Sequence, residues 1–227
     1  MWKTCTRSTS DAPRTDDVRA RDLDSSSSQM REAHVTALTE TGEDRQRIPY
    51  GEGREALLKA VIAVVARSGL RNVTYRAVAA EAGVAHGLVR HHFGSRDMLI
   101  EEALHYSVTQ SIDTTALESE SGNLADLARN LAKAVSDDPD IQAFQYELIL
   151  EARRRPELRH YVDVIYKTYR AAVYQALSSA GIDDRDLADL VFCALDGLVF
   201  QQLAFGSPEA TEKGLRQLRK LLETVKR

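Results

Sequence analysis

The pattern of hydrophobic and polar positions along the chain changes near residue 50. From Leu58 onward, apolar residues recur at positions i, i+3, i+4 and i+7, which is the spacing of one buried face of an α-helix. Gly69 predicts the end of this helix, because glycine readily adopts the left-handed backbone conformation of a helix C-cap. The first stable element of the chain is therefore expected after residue 50.

Every later segment with a readable pattern is also helical. Prolines, glycines and capping residues mark the predicted ends of these helices. No segment shows the sustained alternation of a β-strand, so the sequence predicts an all-α fold. The predicted helices run over residues 75–82, 85–92, 96–107, 124–135, 139–154, 156–180, 184–205 and 208–225.

Residues 1–48 differ from the rest of the chain because they lack any apolar period. Basic and acidic residues are nearly balanced there, and serines fill positions 25–28. Such a segment buries too little apolar surface to offset the entropy that it loses on ordering. We therefore predict a disordered N-terminal arm over residues 1–48, in which either Met1 or Met30 can be the natural start.

The composition is typical of a globular protein. Hydrophobic residues make up 43% of the 227 positions and charged residues 28%, and the net charge is −4. Two cysteines cannot form a disulfide framework, so we expect a reduced, cytoplasmic protein. The richest apolar runs, residues 57–66 and 191–200, are each interrupted by a charged residue and are shorter than the ~20 residues of a membrane span. We expect no membrane partner.

The most informative segment covers residues 73–98. Two short predicted helices are joined there by a turn that contains Gly83, which is the arrangement of a helix-turn-helix. Small residues at Ala79 and Ala82 let the two helices cross closely. Gly87 stands early in the second helix, where it lowers the helix propensity by about 1 kcal/mol and leaves room for a duplex. The pattern predicts that this second helix lies in the major groove of DNA.

Side chains that can donate hydrogen bonds to phosphates or base edges cluster on this unit. Residues 48–106 hold seven basic and six acidic residues, whereas residues 107–227 are net acidic, so the positive charge is local. The histidines here fall on different faces of a helix, so we predict no metal site. A purely structural helical hairpin is the alternative. The candidate DNA-binding residues are Thr74, Tyr75, Arg76, Ala85, His86, Gly87, Arg90, His91, His92 and Arg96.

The same segment resembles the helix-turn-helix of the tetracycline-repressor family of bacterial transcription regulators. The resemblance covers residues 55–104. It rests on Thr74 at the first helix start, the Ala79–Val84 turn, Gly87 in the second helix and the His92–Phe93 pair that closes it.

The resemblance implies two domains and a mode of action. A three-helix DNA-binding domain would cover residues 49–106, and a larger helical domain for ligand binding and dimerisation would cover residues 107–227. Binding of a small molecule would release the protein from its operator, without a cofactor. Residues 144–181 further resemble the C-terminal domain of choline-operon repressors, which does not by itself imply a choline-related ligand.

The sequence departs from the family pattern at three positions of the second helix. The family usually has Ser or Thr where Ala85 stands, so this helix lacks a side-chain cap. It usually has Lys at the position of His86 and Tyr at that of Arg90. Both replacements can still reach phosphate, so DNA binding is retained in this interpretation while the bases that are read change.

Aromatic residues concentrate in the C-terminal half, where two carboxylates interrupt apolar segments. One interpretation is a hydrophobic core in which Asp196 pairs with an Arg or a Tyr. The alternative is a ligand cavity, because pockets between helices are mostly apolar with a few polar groups. The candidate ligand-binding residues are Phe144, Glu147, Tyr166, Tyr169, Phe192 and Asp196.

The helix predicted over residues 184–205 is apolar nearly all round between positions 190 and 200. A helix of this kind is buried on every side, which in a domain of this size requires a partner chain. We therefore predict a homodimer that pairs this helix with the one over residues 156–180. Cys193 is expected to lie in the core.

Three classes of function compete for this chain. The enzyme class is disfavoured, because the sequence holds no GxSxG, no P-loop, no metal-ligand spacing and no Cys–His arrangement that would place a nucleophile near a base. A helical interaction protein of the same fold without operator binding is the alternative, and the departures at Ala85 and Arg90 favour it. The preferred hypothesis is a ligand-responsive, dimeric DNA-binding repressor.

Overall fold

The computed structural model describes residues 50–117 and 121–226, and the predicted N-terminal arm lies outside this part of the chain. The described residues form nine α-helices and three short 3-10 turns without a β-strand, in agreement with the all-α prediction. The helices are α1 Tyr50–Ser68, α2 Tyr75–Glu81, α3 His86–Phe93, α4 Arg96–Thr115, α5 Leu131–Asp137, α6 Pro139–Arg154, α7 Arg159–Ser179, α8 Arg185–Phe205 and α9 Pro208–Val225.

Helices α1, α2 and α3 form the predicted helix-turn-helix unit with the first turns of α4. Thr74 caps α2, because its hydroxyl oxygen accepts a hydrogen bond of 3.1 Å from the backbone N–H of Ala77. Ser95 caps α4 in the same way, with Met98 as the donor at 3.1 Å. Gly83 has a φ of +67° in the turn between α2 and α3, a conformation that favours glycine. The local signals in the sequence therefore fix the helix starts of this unit.

Helix α4 is longer than predicted. It continues to Thr115 instead of ending near Ser107, because Val108 and Ile112 extend its buried apolar face. The helix thus crosses residue 106, where the sequence predicts the boundary between the two domains. The division into residues 49–106 and 107–227 remains a prediction.

Two other predicted helices begin later than expected. The segment 124–135 is interrupted: Leu124–Asp126 is a 3-10 turn, and Ala128 has a φ of +50°, which no right-handed helix accommodates. Helix α5 therefore starts only at Leu131. Pro156 opens a 3-10 turn, and α7 follows it from Arg159.

Helix α6 lies between the helix-turn-helix unit and the other C-terminal helices. It packs extensively on α1, and its other neighbours include α4, α7 and α8. Leu57 and Val61 of α1 and Phe144 and Leu148 of α6 are fully buried in the common core. The position of α6 therefore depends on the packing of both parts of the protein.

Helix α8 has an apolar face that the described part of the chain leaves uncovered. Leu190 is 65% exposed and Phe205 is 80% exposed, and Cys193, predicted in the core, is exposed as well. By length and composition α8 is the one described helix that could cross a membrane, with a mean hydropathy of 1.5 over 18 residues. The sequence analysis counted only the central apolar run of this 21-residue helix. One helix of this length and composition is weak evidence for a membrane span, and the expectation of no membrane partner stays a prediction.

Candidate DNA-binding and ligand-binding sites

Helix α3 presents four of the ten predicted DNA-binding residues to solvent. His86, Arg90 and His91 are all exposed. Gly87 is also exposed, and a Cβ atom built there would meet no atom within 4 Å, so nothing in the described chain requires a glycine at this position. Ala85 precedes the helix without a side-chain cap, as the sequence predicts. This face of α3 is open to a large ligand such as a duplex.

Arginine side chains on two helices are available to phosphates. Arg76 on α2 and Arg90 on α3 are exposed, and neither forms an ion pair or a side-chain hydrogen bond within the described residues. Thr74 is exposed beside them, although its oxygen already caps α2. His92 is half-buried, with its ring centroid 6.1 Å from that of Phe93.

Two of the predicted DNA-binding side chains have partners inside the protein. The hydroxyl of Tyr75 donates a hydrogen bond of 2.9 Å to the carbonyl of Gly94. The guanidinium of Arg96 donates to the carbonyl of Val73 at 2.9 Å and to that of Leu70 at 2.5 Å. These bonds hold the segment before α2 against the turn before α4. Tyr75 and Arg96 thus have internal partners that help to position the motif, while their contact with DNA stays a prediction.

A cavity of about 50 Å³ lies among the helices of the C-terminal half, lined by residues of α4 to α8. Four predicted ligand-binding residues contribute to its wall, namely Tyr166, Tyr169, Phe192 and Asp196. The wall is mostly apolar and aromatic with a few amide and hydroxyl groups, which is the usual composition of a small-molecule site. The structure thus brings together most of the predicted ligand site.

The other two predicted ligand-binding residues do not line the cavity. Phe144 is fully buried in the core. Glu147 faces the end of α1, where a Cβ atom added to Gly69 would lie 3.1 Å from its Oε1 atom. The prediction was therefore wrong for this part of α6, whose cavity-facing residues lie on another face of the helix.

The sequence analysis missed the polar side chains through which α6 lines the cavity. Gln142 donates a hydrogen bond of 2.8 Å to the hydroxyl of Ser111, and Gln145 accepts one of 2.9 Å from Tyr169. Burial raises the pKa of Tyr169 to about 12, so its hydroxyl remains protonated at neutral pH. Gln142, Gln145 and Tyr146 recur at i, i+3 and i+4, and this helical spacing could have identified the face.

Among the described residues that line the cavity, Asp196 is the one carboxylate, and none of them is Lys, Arg or His. The hydroxyl of Tyr146 donates a hydrogen bond of 2.8 Å to its Oδ1 atom. Burial raises the pKa of Asp196 above its ordinary value, although the Tyr146 hydrogen bond opposes the shift. Burial also raises the pKa of Tyr146, so this hydroxyl remains a donor. A partly buried negative charge thus faces a mostly apolar space.

Helix α6 also carries an ionic contact with the helix-turn-helix unit. The carboxylate of Glu151, whose side chain is 3% exposed, lies 3.1 Å from Arg71 and 3.1 Å from Arg154. The hydrogen bond from Arg71 is the main cause that lowers the pKa of Glu151. Since α6 lines the cavity with other residues, its displacement by a ligand would alter this contact at the base of the DNA-binding unit.

Five of the eight exposed large apolar side chains of the described residues lie on the last two helices. On α9, Leu221 and Val225 are exposed, and on α8 a Cβ atom added to Gly197 would meet no atom within 4 Å. The outward side of α7 is polar instead, and the predicted pairing of 156–180 with 184–205 as the dimer interface stays a prediction. The exposed polar residues of α7 include Asp163, Lys167, Arg170 and Gln175.

Two family profiles match the chain. The profile described as "Bacterial regulatory proteins, tetR family" matches residues 57–103. The profile described as "Tetracyclin repressor-like, C-terminal domain" matches residues 119–225. Together they cover the helix-turn-helix unit and most of the helices that follow.

Curated relatives support the same assignment. The HTH-type transcriptional repressor Rv3405c of Mycobacterium tuberculosis is 30% identical over 154 residues, which cover 62% of this chain and 77% of the relative. The HTH-type nicotine-responsive transcriptional repressor HdnoR of Paenarthrobacter nicotinovorans is 28% identical over 170 residues, or 70% of this chain and 87% of the relative.

Solved structures of similar sequence share the fold. A member of the TetR family from Streptomyces coelicolor is 29% identical with a TM-score of 0.59, and the match covers 75% of this chain and 98% of that one. The multidrug binding protein EbrR, solved in complex with imidazole, is 29% identical with a TM-score of 0.54, and the match covers 75% of this chain and 94% of that one.

Proposed function

Because the chain belongs to the tetR family of bacterial regulatory proteins, we propose that α3 binds operator DNA and that the cavity beside Asp196 binds the effector. The protein is a ligand-responsive DNA-binding transcriptional regulator. The observation that carries the assignment of sites is the exposed basic face of α2 and α3, which is separate from the cavity but connected to it through α1 and α6.

The DNA-binding residues fall into two groups in this proposal. Arg76, Arg90, His86 and His91 are exposed and contact phosphates or base edges directly, while Gly87 lets the backbone approach the duplex. Four further residues place these groups correctly through caps, backbone geometry or internal hydrogen bonds, and they are Thr74, Tyr75, Ala85 and Arg96. His92, which is half-buried near the end of α3, is assigned to neither group.

Selection of bound genomic fragments by the purified protein tests the DNA-binding site. The affinity for a selected fragment is then measured against salt concentration for the wild type, Arg76→Ala and Arg90→Ala. Each lost phosphate contact reduces the log–log salt slope by about 0.9. Arg159→Ala removes an exposed basic residue of α7 and serves as the control.

The expected result is a weaker affinity and a smaller slope for Arg76→Ala and Arg90→Ala, with Arg159→Ala unchanged. Retention of the wild-type slope in both variants would contradict the assignment of this face. Failure of the wild type to retain any fragment would favour the alternative, a helical interaction protein of this fold that does not bind an operator.

We further propose that the protein represses its genes and that the effector releases it from the operator. Relatives such as HdnoR and Rv3405c are described as repressors. A cavity of about 50 Å³ is far smaller than a typical ligand pocket of roughly 300–1,000 Å³. The effector therefore binds a conformation in which the lining helices have moved apart, and it shifts the population toward that conformation.

The uncovered apolar faces of α8 and α9 support a homodimer. A second copy would bury Leu190, Phe205 and Leu221, and this burial accounts for the high hydropathy of α8 without a membrane. We accordingly place the dimer in the cytoplasm, with no membrane partner, no cofactor and no catalytic activity.

A further inference from the structure

We infer that the effector is an organic cation with an apolar or aromatic body, whose positive charge is bound by Asp196. This inference rests on the proposed function of the cavity as an effector site. It goes further by assigning the chemical class of the ligand and the residue that selects it.

The first argument is the charge of the cavity wall. Among the described residues that line it, Asp196 is the only acidic or basic side chain, and no basic residue of the described chain pairs with this carboxylate. Its Oδ1 atom accepts a hydrogen bond from Tyr146, whereas its Oδ2 atom accepts none within the described residues. One carboxylate oxygen is thus available to a ligand, and an anionic ligand would be repelled.

The second argument is the surrounding aromatic wall. The ring of Phe192 lies edge-on to Tyr166 at 5.5 Å between centroids and roughly parallel to Tyr169 at 6.1 Å. Tyr146 approaches the carboxylate from the facing helix. Aromatic faces attract cations through the ring quadrupole, and they also pack well against an apolar body. The wall therefore suits both parts of such a ligand.

The protein itself shows that these rings accept a cation. The guanidinium of Arg170 lies 5.8 Å from the centroid of Tyr166 and 5.9 Å from that of Phe192. Its carboxylate partner is Asp189 at 3.5 Å, on the exposed side of α8. Arg170 therefore pairs with a carboxylate other than Asp196, and Asp196 remains available to a cation that enters the cavity.

The third argument is energetic. A carboxylate that is removed from water without a cationic partner destabilises the folded protein. A bound cation supplies this partner in a medium of low polarity, where the attraction between opposite charges is stronger than in water. A neutral ligand of the same shape would leave the carboxylate unpaired, so the cavity discriminates by charge.

Three small molecules of nearly equal shape test the inference. Benzyltrimethylammonium, neopentylbenzene and phenylmethanesulfonate share a phenyl ring and carry a tetrahedral head group that is positive, neutral and negative, respectively. Their binding is measured directly by calorimetry or by ligand-observed nuclear magnetic resonance. The proteins are the wild type, Asp196→Asn and the control Asp186→Asn, which removes an exposed charge from the same helix.

The wild type and Asp186→Asn are expected to bind the cation at least about tenfold more tightly than the neutral compound and not to bind the anion, with tenfold corresponding to about 1.4 kcal/mol. Asp196→Asn is expected to lose this preference while it still binds the neutral compound. Equal binding of the cation and the neutral compound by the wild type would overturn the inference, as would unchanged cation binding by Asp196→Asn or no cation binding at millimolar concentration. Since no operator takes part, these results do not depend on whether the DNA-binding proposal holds.

Discussion

Asp196 and Tyr146 illustrate how a single pair can serve ligand binding at the expense of stability. The carboxylate is partly buried, and its one side-chain partner among the described residues is a neutral hydroxyl. Burial raises the pKa of Asp196 above the value it has in the unfolded chain. The folded state therefore holds the proton more tightly than the unfolded state, and ionisation at neutral pH lowers the free energy of unfolding.

Asp196→Asn is accordingly expected to stabilise the protein without ligand at pH 7. Asparagine has the same shape and still accepts a hydrogen bond from Tyr146, but it cannot ionise. The expected change is a rise of up to a few degrees in the melting temperature, measured by scanning calorimetry against Asp186→Asn. A melting temperature below that of the wild type would show that the carboxylate contributes to stability without ligand.

Cation binding is expected to weaken on acidification. The carboxylate binds the cation only when ionised, and its raised pKa moves the loss of affinity to a higher pH than an ordinary Asp would give. Tyr146, Tyr166 and Tyr169 also face this region, but burial raises their pKa values, so their hydroxyls do not titrate in this range. The Arg170 guanidinium lies against the rings of Tyr166 and Phe192. Titrations of benzyltrimethylammonium between pH 7 and pH 4 measure the loss. The same affinity at both ends of this range would contradict a role for Asp196.

Sequence reasoning identified residues that act locally better than residues that act through distant partners. Thr74 was expected at a helix start, and it caps the next turn of its own helix. Arg96 was expected at a phosphate, but it donates to carbonyls of Leu70 and Val73, more than twenty positions earlier in the chain. The sequence cannot distinguish an arginine that contacts phosphate from one that bonds to backbone carbonyls of its own chain. The distant carbonyls that accept from Arg96 are brought to it only by the tertiary fold.

At the scale of the element, α3 combines low intrinsic stability with an open face. Ala85 offers no side-chain cap, and Gly87 lowers helix propensity without any contact inside the described chain that would require it. Both features weaken α3 as an isolated helix. Packing within the described chain does not explain a glycine at position 87, whereas a close approach of DNA to α3 does.

Gly87→Ala and Ala85→Ser separate these two effects. Each is expected to raise the free energy of unfolding, by up to about 1 kcal/mol, through helix propensity and capping, respectively. Gly87→Ala is expected to weaken operator binding at least about fivefold, because its methyl group meets the duplex, whereas Ala85→Ser retains the affinity. Urea denaturation and band shift measure the two quantities. Unchanged operator affinity in Gly87→Ala would refute the close approach.

The element α6 shows why the ligand site was only partly predictable. The sequence drew attention to Phe144 and Glu147 because an aromatic ring and a charge interrupt the pattern there. The fold instead turns Gln142, Gln145 and Tyr146 toward the cavity. Periodicity defines which residues share a face, but it does not say which face meets the core, the cavity or another helix.

At the scale of the whole molecule, the exposed apolar surface of α8 and α9 is expected to determine the oligomeric state. Gly197→Glu is expected to convert a dimer into a folded monomer. A Cβ atom at this position meets no atom of the described chain within 4 Å, so the monomer has room for the new side chain. The added charge lies on the apolar face of α8 and therefore opposes the burial of this face by a second copy. Ala171→Glu places the same charge on the exposed side of α7 and is expected to leave the dimer intact. Light scattering at micromolar concentration measures both masses. A monomeric wild type, or dissociation by Ala171→Glu alone, would contradict the interface on α8 and α9.

The cavity and the DNA-binding face are coupled only if α6 transmits a change in the cavity to the helix-turn-helix. Residues of α6 line the cavity, while Glu147 lies against Gly69 and Glu151 pairs with Arg71 at the end of α1. A ligand that enlarges the cavity therefore changes contacts that position the helix-turn-helix. Coupling between two such sites is typically about 1–3 kcal/mol, or about 5- to 150-fold in affinity.

The dissociation constant of a selected operator fragment, measured during a titration with benzyltrimethylammonium, tests this account most directly. The affinity of the wild type for DNA is expected to fall at least about fivefold and to level off as the cavity saturates. Asp196→Asn is expected to keep its DNA affinity throughout. If calorimetry shows that the cation fills the cavity while the operator affinity of the wild type stays constant, the cavity does not control DNA binding.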